Sequence, residues 1–339
     1  MPTLLLSCMR TKNSAIPSGP IAAGDTARCG AAVSAERTGT PRAAAATPAA
    51  RSGSPHGTLL ASLGVVAFSL TFPSTVWGLE SFGPWSLVAA RSVLAAVIAG
   101  GFLLALRTPL PERRHLGPLL VVAGGVVVGF PLLTTLALRT STASHAAVVV
   151  GLLPLTTAAF AAVRTGRRPS RTFWAAALAG AAVVLGFTLG SNGGAPSAGD
   201  LYLFAALLVC AAGYTEGGRL AGLMPGWQVI GWALVLCLPL TVPGAVFALM
   251  AEPVRPGAQG VAGLLWVAAG STFFGLYVWY RGMAAIGIAR ASQLQLAQPL
   301  LTLLWSVLLL EEPLSPAAPA AAAAVLVCIA VTQRASTRG

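Results

Sequence analysis

Apolar residues dominate the chain from residue 58 onward, in long runs that short polar or glycine- and proline-rich stretches separate. Most runs are close to the ~20 residues with which an α-helix crosses a hydrocarbon core of ~30 Å. Runs this long and continuous indicate helices rather than the strands of a membrane barrel. We therefore predict an all-α integral membrane protein with ten spanning helices, over residues 58–79, 85–106, 116–137, 143–163, 172–190, 199–220, 227–250, 260–280, 288–310 and 314–333.

Two of these predicted helices carry the same motif. The stretches GLLPLTTAAFAAVRTGRRPS, from Gly151, and AQPLLTLLWSVLLLEEPLSP, from Ala297, each contain an early proline, an apolar run and a charged turn before a serine. Pro154 and Pro299 are 145 residues apart, and the residues that precede each proline also align at this distance. The chain is therefore predicted to contain two copies of one unit.

The basic residues predict how the helices are oriented. Loops on the cytoplasmic side of a membrane are enriched in Lys and Arg. If the N-terminus is cytoplasmic, all 21 basic residues face the cytoplasm except Arg91, which lies within a helix, and Arg139 and Arg255. With ten helices, both termini are then cytoplasmic. The outer side receives most of the acidic residues, namely Glu80, Asp200, Glu252, Glu311 and Glu312.

The motif and the orientation together predict two inverted five-helix repeats, over residues 58–190 and 199–333. Because an odd number of helices separates the two motifs, the turn with Arg167 and Arg168 faces inward and the equivalent turn with two glutamates faces outward. Inverted halves can rock against each other and expose a central site to each side in turn. This architecture is typical of a transporter.

The composition excludes several other classes of protein. Only 9% of residues are charged, against about 25% in soluble domains. The net charge of +12 comes from short arginine clusters between apolar runs, without the basic face expected of a nucleic-acid-binding protein. Lys12 is the only lysine, so a P-loop for ATP is excluded from the body of the chain. The five cysteines form no CxxC pair, and we predict no cofactor and no metal site.

Residues 1–57 differ from the rest, being rich in Ala, Ser, Thr, Gly, Pro and Arg without periodicity. We predict a disordered cytoplasmic tail. The apolar run Leu4–Leu6 is too short for a signal peptide. A wrongly assigned start codon is the alternative explanation of this segment.

The ten helices, their inversion and the pattern A-L-x-x-[ST]-x-A-S-x-A…P-L…S resemble the EamA-type carriers of the drug/metabolite transporter superfamily. The two copies of the pattern end at Ser170 and Ser315, and the resemblance covers about residues 60–333. It implies an exporter of small metabolites, amino acids or drugs. Each copy in that family often ends in a glutamate before its serine; the second copy here fits, whereas the first has arginines instead.

Three candidates for substrate binding are an ionisable residue and two aromatic residues. Arg91 lies about six residues inside the second predicted helix, where charge is costly. It is either an anchor for a carboxylate or phosphate or a snorkelling or structurally paired arginine. Trp77 and Tyr214 either line the cavity or anchor the chain at the membrane interface.

The repeated prolines bring in two further candidates. Pro154 and Pro299 are predicted to kink their helices, because proline frees a carbonyl one turn earlier, and the two kinks could act as paired gates. Gln298 directly precedes Pro299, and Gln295 lies one turn before it. These amides either contact substrate beside the freed backbone or bond to another helix.

Glu216 and His145 are the candidates for proton coupling. Glu216 could take up a proton in the transport pathway or pair with Arg219 three residues on. His145, near the outer surface, is either a proton sensor or an interfacial histidine without such a role.

We therefore expect a secondary transporter in the plasma membrane, a monomer or homodimer, whose partners are a small-molecule substrate, the lipid bilayer and protons. A facilitative carrier without proton coupling is the closest alternative. A membrane scaffold or sensor is another. An enzyme is not expected, because the chain has no HExxH, no GxSxG serine with a histidine, and no paired aspartates at depth.

Overall fold

A computed structural model of the protein describes residues 55–166, 170–191, 193–286 and 288–336. The first helix begins at Pro55, so the predicted disorder of the preceding residues lies outside the described ranges. Within those ranges the chain is helical and contains no strand. The turn residues Arg167 and Arg168 also lie outside them.

Ten helical segments, called spans 1 to 10, run through the described part of the chain. Nine are long and apolar enough to cross a membrane, and span 10 has a shorter apolar helix over Ala317–Thr332. The prediction of about ten transmembrane helices in an all-α protein is confirmed. The stretches of the first nine spans that are apolar enough to cross a membrane are Pro55–Ser81, Pro84–Ala105, Arg113–Ala137, Ala143–Arg164, Arg171–Ser191, Ala198–Ala221, Gly226–Ala251, Ala258–Met283 and Gln293–Leu310. The helices of spans 4, 8 and 9 extend beyond these stretches, and the whole tenth helix is Ala317–Ser336.

Five spans are interrupted helices, which the apolar pattern did not reveal. Spans 1, 4 and 9 each consist of two α-helices, and spans 3 and 8 each contain a π-helical segment. The component helices are Pro55–Ser69 and Thr71–Ser81 in span 1, Ala143–Val150 and Leu153–Thr165 in span 4, and Ile288–Gln295 and Gln298–Leu310 in span 9. In span 3, Ala123–Gly129 is π-helical between Arg113–Val122 and Phe130–Ala137; in span 8, Trp266–Gly275 is π-helical between Ala258–Leu265 and Leu276–Ile286.

Proline explains the breaks in spans 1, 4 and 9. A proline has no N–H to donate to the carbonyl four residues earlier, and its ring clashes with that carbonyl. The helices end at Ser69, Val150 and Gln295, each four residues before a proline. Those prolines are Pro73, Pro154 and Pro299.

The interruptions repeat at the distance found in the sequence. The turn at 151–152 in span 4 falls on the turn at 296–297 in span 9 when it is shifted by 145 residues. The π-helical segment of span 3, shifted likewise, falls within that of span 8. The helices of spans 4 and 9 also end on aligned residues in the left-handed conformation, Gly166 (φ 67°) and Glu311 (φ 53°). The duplication is thus present in the backbone geometry.

The two repeats are intertwined through pairs of helices. Span 1 packs on span 8, and span 6 packs on span 3, which is the equivalent pair under the repeat. Both crossings depend on glycine. A Cβ atom on Gly263 would lie 2.7 Å from the backbone nitrogen of Gly78, and one on Gly125 would meet the carbonyl oxygen of Val209 and lie 3.1 Å from Gly213 Cα. Backbones this close are typical of small-residue helix contacts in membranes.

We expect Gly125→Ala to destabilise the protein, whereas Gly124→Ala, at an adjacent position that faces open space, leaves stability nearly unchanged. The methyl group at position 125 would press on the backbone of span 6, and overpacking of this kind costs about 1–3 kcal/mol. The thermal-unfolding midpoints of the two variants in detergent measure the difference. Equal midpoints would show that the crossing tolerates a side chain.

Candidate functional site

The helix ends form two faces of contrasting charge. The acidic face carries Glu80, Asp200, Glu252, Glu311 and Glu312. The arginine face, at the opposite ends of the spans, carries Arg107, Arg113, Arg114, Arg164, Arg219 and Arg281.

Glu312 joins the two repeats at the acidic face. Its carboxylate, in the loop after span 9, accepts hydrogen bonds from the backbone N–H groups of Ala143 (2.8 Å) and Ser144 (3.0 Å) and from the Ser144 hydroxyl (2.8 Å). These groups form the first turn of span 4, where N–H groups lack partners within the helix. A carboxylate there is favoured both by these bonds and by the helix dipole.

Glu252 caps the first turn of span 2 in the same way. Its carboxylate, just after span 7, accepts from the Ser86 N–H (2.8 Å) and hydroxyl (2.6 Å) and more weakly from the Trp85 N–H (3.3 Å). The carboxylates of Glu252 and Glu312 are therefore caps supplied by one repeat to helices of the other.

His145, a proton-coupling candidate, lies in a third acidic contact. Its Nε2 is 2.6 Å from an Asp200 oxygen, and its ring stacks on Phe187 of span 5. Asp200 is fully buried and also closes a capping box with Ser197 at the start of span 6. The pair thus ties span 4 to span 6 and orients the first turn of span 6.

Glu216, the second proton-coupling candidate, is bound by two arginines at the arginine face. Its carboxylate, in a residue that is only 8% exposed, pairs with Arg164 of span 4 at 3.0 Å and with Arg219 of its own helix. Pairing with Arg219 was the alternative that the sequence left open. The carboxylate is thus held between two guanidinium groups.

The break in span 1 is bridged by span 9. The Thr302 hydroxyl donates to the Ser69 carbonyl at 3.0 Å, which is the carbonyl that Pro73 leaves without a donor. The Trp305 indole donates to the Ser69 hydroxyl at 2.9 Å. Residues of another helix thus satisfy backbone and side-chain groups at the break, as a hydrocarbon environment requires.

Arg91 lies beside the π-helical segment of span 8. Its Nη2 donates to the Thr272 hydroxyl at 3.0 Å, and that hydroxyl in turn donates to the Val267 carbonyl at 2.7 Å. Arg91 is 9% exposed and makes no ion pair with any described carboxylate. Next to it, the hydroxyls of Thr71 and Ser271 are 2.7 Å apart and link spans 1 and 8.

A narrow cleft opens between spans 2, 7 and 8, toward the arginine face. Thr272, the partner of Arg91, lines it. Four of the residues that line it are aromatic, and Phe102 meets Trp227, Phe273 and Tyr277 edge-on at centroid distances of 5.3 to 6.0 Å. Phe102, Trp227 and Phe273 could not be singled out from the sequence, since single aromatics in apolar runs carry no signal of their mutual contact.

The remaining candidates lie at helix breaks or on the face of a span. Gln295 and Gln298 are half-buried on either side of the break in span 9. Trp77 packs against Gly263 of span 8, and its indole nitrogen is buried without a hydrogen-bond partner among the described residues. Tyr214 is exposed on span 6. None of these side chains borders the cleft.

Thr157 is a polar residue that the sequence analysis missed. It is equivalent to Thr302 under the repeat, yet its buried hydroxyl lacks a hydrogen-bond partner in the described part of the chain. The reason lies in the partner helix, where Gly218 stands at the position equivalent to Pro73. Span 6 therefore has no carbonyl that proline has freed for Thr157 to contact.

Two segments of the chain, residues 55–189 and 197–333, match the EamA-like transporter family. The chain belongs to this family. The resemblance found in the sequence is confirmed, and the EamA protein described here is a membrane transporter.

A relative agrees with this assignment, and a solved structure shares the fold. The EamA protein is 43% identical over 279 residues to a protein of Bacillus subtilis (strain 168) named "Uncharacterized transporter YdeK", with 82% of this chain and 97% of the relative covered. A solved structure titled "Crystal structure of protein" is similar with a TM-score of 0.59 and 23% identity, covering 82% of this chain and 98% of that one. The structural likeness shows the fold alone.

The contacts of Glu312 give a physical reason for an acid at the end of the second EamA motif. A carboxylate accepts the N–H groups of span 4 there. The first motif has Arg167 at the equivalent position, and a guanidinium has no acceptor to offer. An arginine side chain at this position therefore could not supply the same kind of cap.

We expect Glu312→Gln to lower the thermal-unfolding midpoint by an amount that corresponds to about 1–2 kcal/mol, because charge-assisted bonds to two N–H groups and a hydroxyl are weakened. Glu311→Gln is the control, since its exposed side chain lies next to Glu312 and makes no such contacts. A fall of equal size in both variants would argue against the cap.

Proposed function

We propose that the protein is a secondary carrier in the plasma membrane that exports small metabolites, amino acids or drugs by alternating access, with both termini in the cytoplasm. The observation that carries this proposal is the repetition, at 145 residues, of the breaks in spans 4 and 9 and of the π-helical segments in spans 3 and 8. Two equivalent, interrupted units around one interior are what alternating access requires. A scaffold or sensor has no need of them.

The contacts support a particular division into moving parts. Hydrogen bonds join span 1 to spans 8 and 9 and span 2 to span 8. The repeat relates these helices to spans 6, 7, 3 and 4. Among that second group, ion pairs join span 4 to span 6, and the crossing at Gly125 joins span 3 to span 6. We infer that spans 1, 2, 8 and 9 move as one unit and spans 3, 4, 6 and 7 as the other. Each unit combines helices of both repeats.

Glu312 lies between these inferred units, because span 9 belongs to one and span 4 to the other. Its bonds to Ala143 and Ser144 then close the acidic face. Opening toward that face would require these bonds to break, together with those from Glu252 after span 7 to the first turn of span 2. The proposed transport cycle therefore alternates between a state with the Glu312 cap formed and one with it released.

A disulfide across this contact tests the cycle. We expect the double variant Ala143→Cys, Glu312→Cys to lose at least about tenfold of its transport on oxidation, because the acidic face can no longer open. Efflux of a metabolite mixture from loaded proteoliposomes, followed by mass spectrometry, measures the loss.

Reduction of the same protein should restore transport, and oxidised wild type should be unaffected. Undiminished efflux from the cross-linked protein would contradict the proposed motion. An absence of efflux in wild type across all solutes tested would favour the scaffold or sensor.

Proton coupling through Glu216 is tested separately. Because two arginines bind its carboxylate, we expect Glu216→Gln to leave the dependence of transport on a pH gradient unchanged, even where the rate falls. His145→Gln is the companion variant, since it disrupts the other titratable pair. Initial rates with and without an imposed gradient provide the comparison, and loss of the gradient effect in Glu216→Gln alone would assign coupling to Glu216.

A further inference from the structure

We propose that the cleft between spans 2, 7 and 8 binds an organic anion that joins an aromatic or bulky apolar body to a single carboxylate. Arg91 would bind the carboxylate, and Phe102, Trp227, Phe273 and Tyr277 would surround the body. This inference rests on the proposed transport function and names the substrate class of the protein.

The buried charge of Arg91 is the first argument. A guanidinium offers five N–H donors, and within the described ranges it makes one side-chain hydrogen bond, to Thr272. A buried cation is ordinarily paired with an anion. The acidic side chains of the described residues are engaged elsewhere or lie near the faces: Glu112, Asp200 and Glu216 in ion pairs, Glu252 and Glu312 in caps, and Glu80 and Glu311 exposed.

The position of Thr272 is the second argument. This residue lines the cleft and accepts the hydrogen bond from Arg91, so the guanidinium lies directly behind the cleft wall. Along span 2, Arg91, Ala95 and Ala99 share one helix face, and Ala99 lines the cleft.

The walls of the cleft are the third argument. Four aromatic side chains, Phe102 and the three that meet it, are all partly exposed and line the cleft together with Thr272. Edge-to-face and stacked contacts would favour an aromatic ligand over an aliphatic one of equal length. At the mouth, Arg281 donates to the Tyr277 hydroxyl and adds positive potential that attracts anions.

Three probes of one shape separate charge from aromatic contact: hydrocinnamate, its neutral amide hydrocinnamamide, and the cation phenethylamine. Titration calorimetry on the full-length protein in nanodiscs gives their affinities. We expect hydrocinnamate to bind at least about tenfold more tightly than the amide, the advantage of a charge-assisted contact over a neutral one. Phenethylamine should bind most weakly.

Variants test which protein residues contact the carboxylate of the ligand and which contact its aromatic body. Arg91→Gln should remove the preference for the carboxylate over the amide, and Arg91→Lys should restore part of it. Phe273→Leu should weaken both probes several-fold, while Phe274→Leu, at an exposed neighbouring position, should change neither. The Arg139→Gln variant, on the acidic face, controls for the loss of one positive charge.

Equal binding of hydrocinnamate and its amide to wild type, or an unchanged preference in Arg91→Gln, would overturn the proposal. So would failure of all three probes to bind. Binding as expected without any transport in proteoliposomes would uphold this site and refute the proposed function. Transport of other solutes that is insensitive to Arg91→Gln and Phe273→Leu would refute this site and leave the proposed function intact.

Discussion

A backbone carbonyl cannot remain without a partner in the hydrocarbon interior, and this constraint determines how the protein is assembled. Pro73, Pro154 and Pro299 each end a helix four residues earlier and deprive a carbonyl of its donor. At Ser69 the replacement donor is Thr302 of span 9. Because a donor on another helix replaces the lost hydrogen bond, the position of the proline also determines which helices pack against each other.

The two repeats have kept this framework and diverged in their side chains. Thr302 and Thr157 occupy equivalent positions, yet only Thr302 faces a carbonyl that proline has freed. A carboxylate caps a helix of the opposite repeat at the acidic face, whereas the equivalent residue of the first repeat is an arginine. The duplicated scaffold thus supplies symmetry, and the substitutions make the two faces unequal.

The sequence was sufficient for the number and class of helices, because each must present about twenty apolar residues to lipid. The aligned prolines Pro154 and Pro299 also predicted the internal repeat. The π-helical segments could not be predicted, since AGGVVVG and WVAAGSTFFG share no composition that distinguishes them from α-helix. Arg91 was identifiable as a charge at depth, but its contact with Thr272 joins residues 181 positions apart. The partner of Glu216 on span 4, Arg164, is likewise a product of tertiary packing.

The two π-helical segments also bear on the ancestry of the protein. A π-helical turn pairs each N–H with the carbonyl five residues back, so an α-helix takes on this form when one residue is inserted. Aligned segments in spans 3 and 8 are most simply explained by a single insertion in a five-helix precursor. The gene would then have doubled afterwards, and both descendants have retained the extra residue while most of their side chains changed.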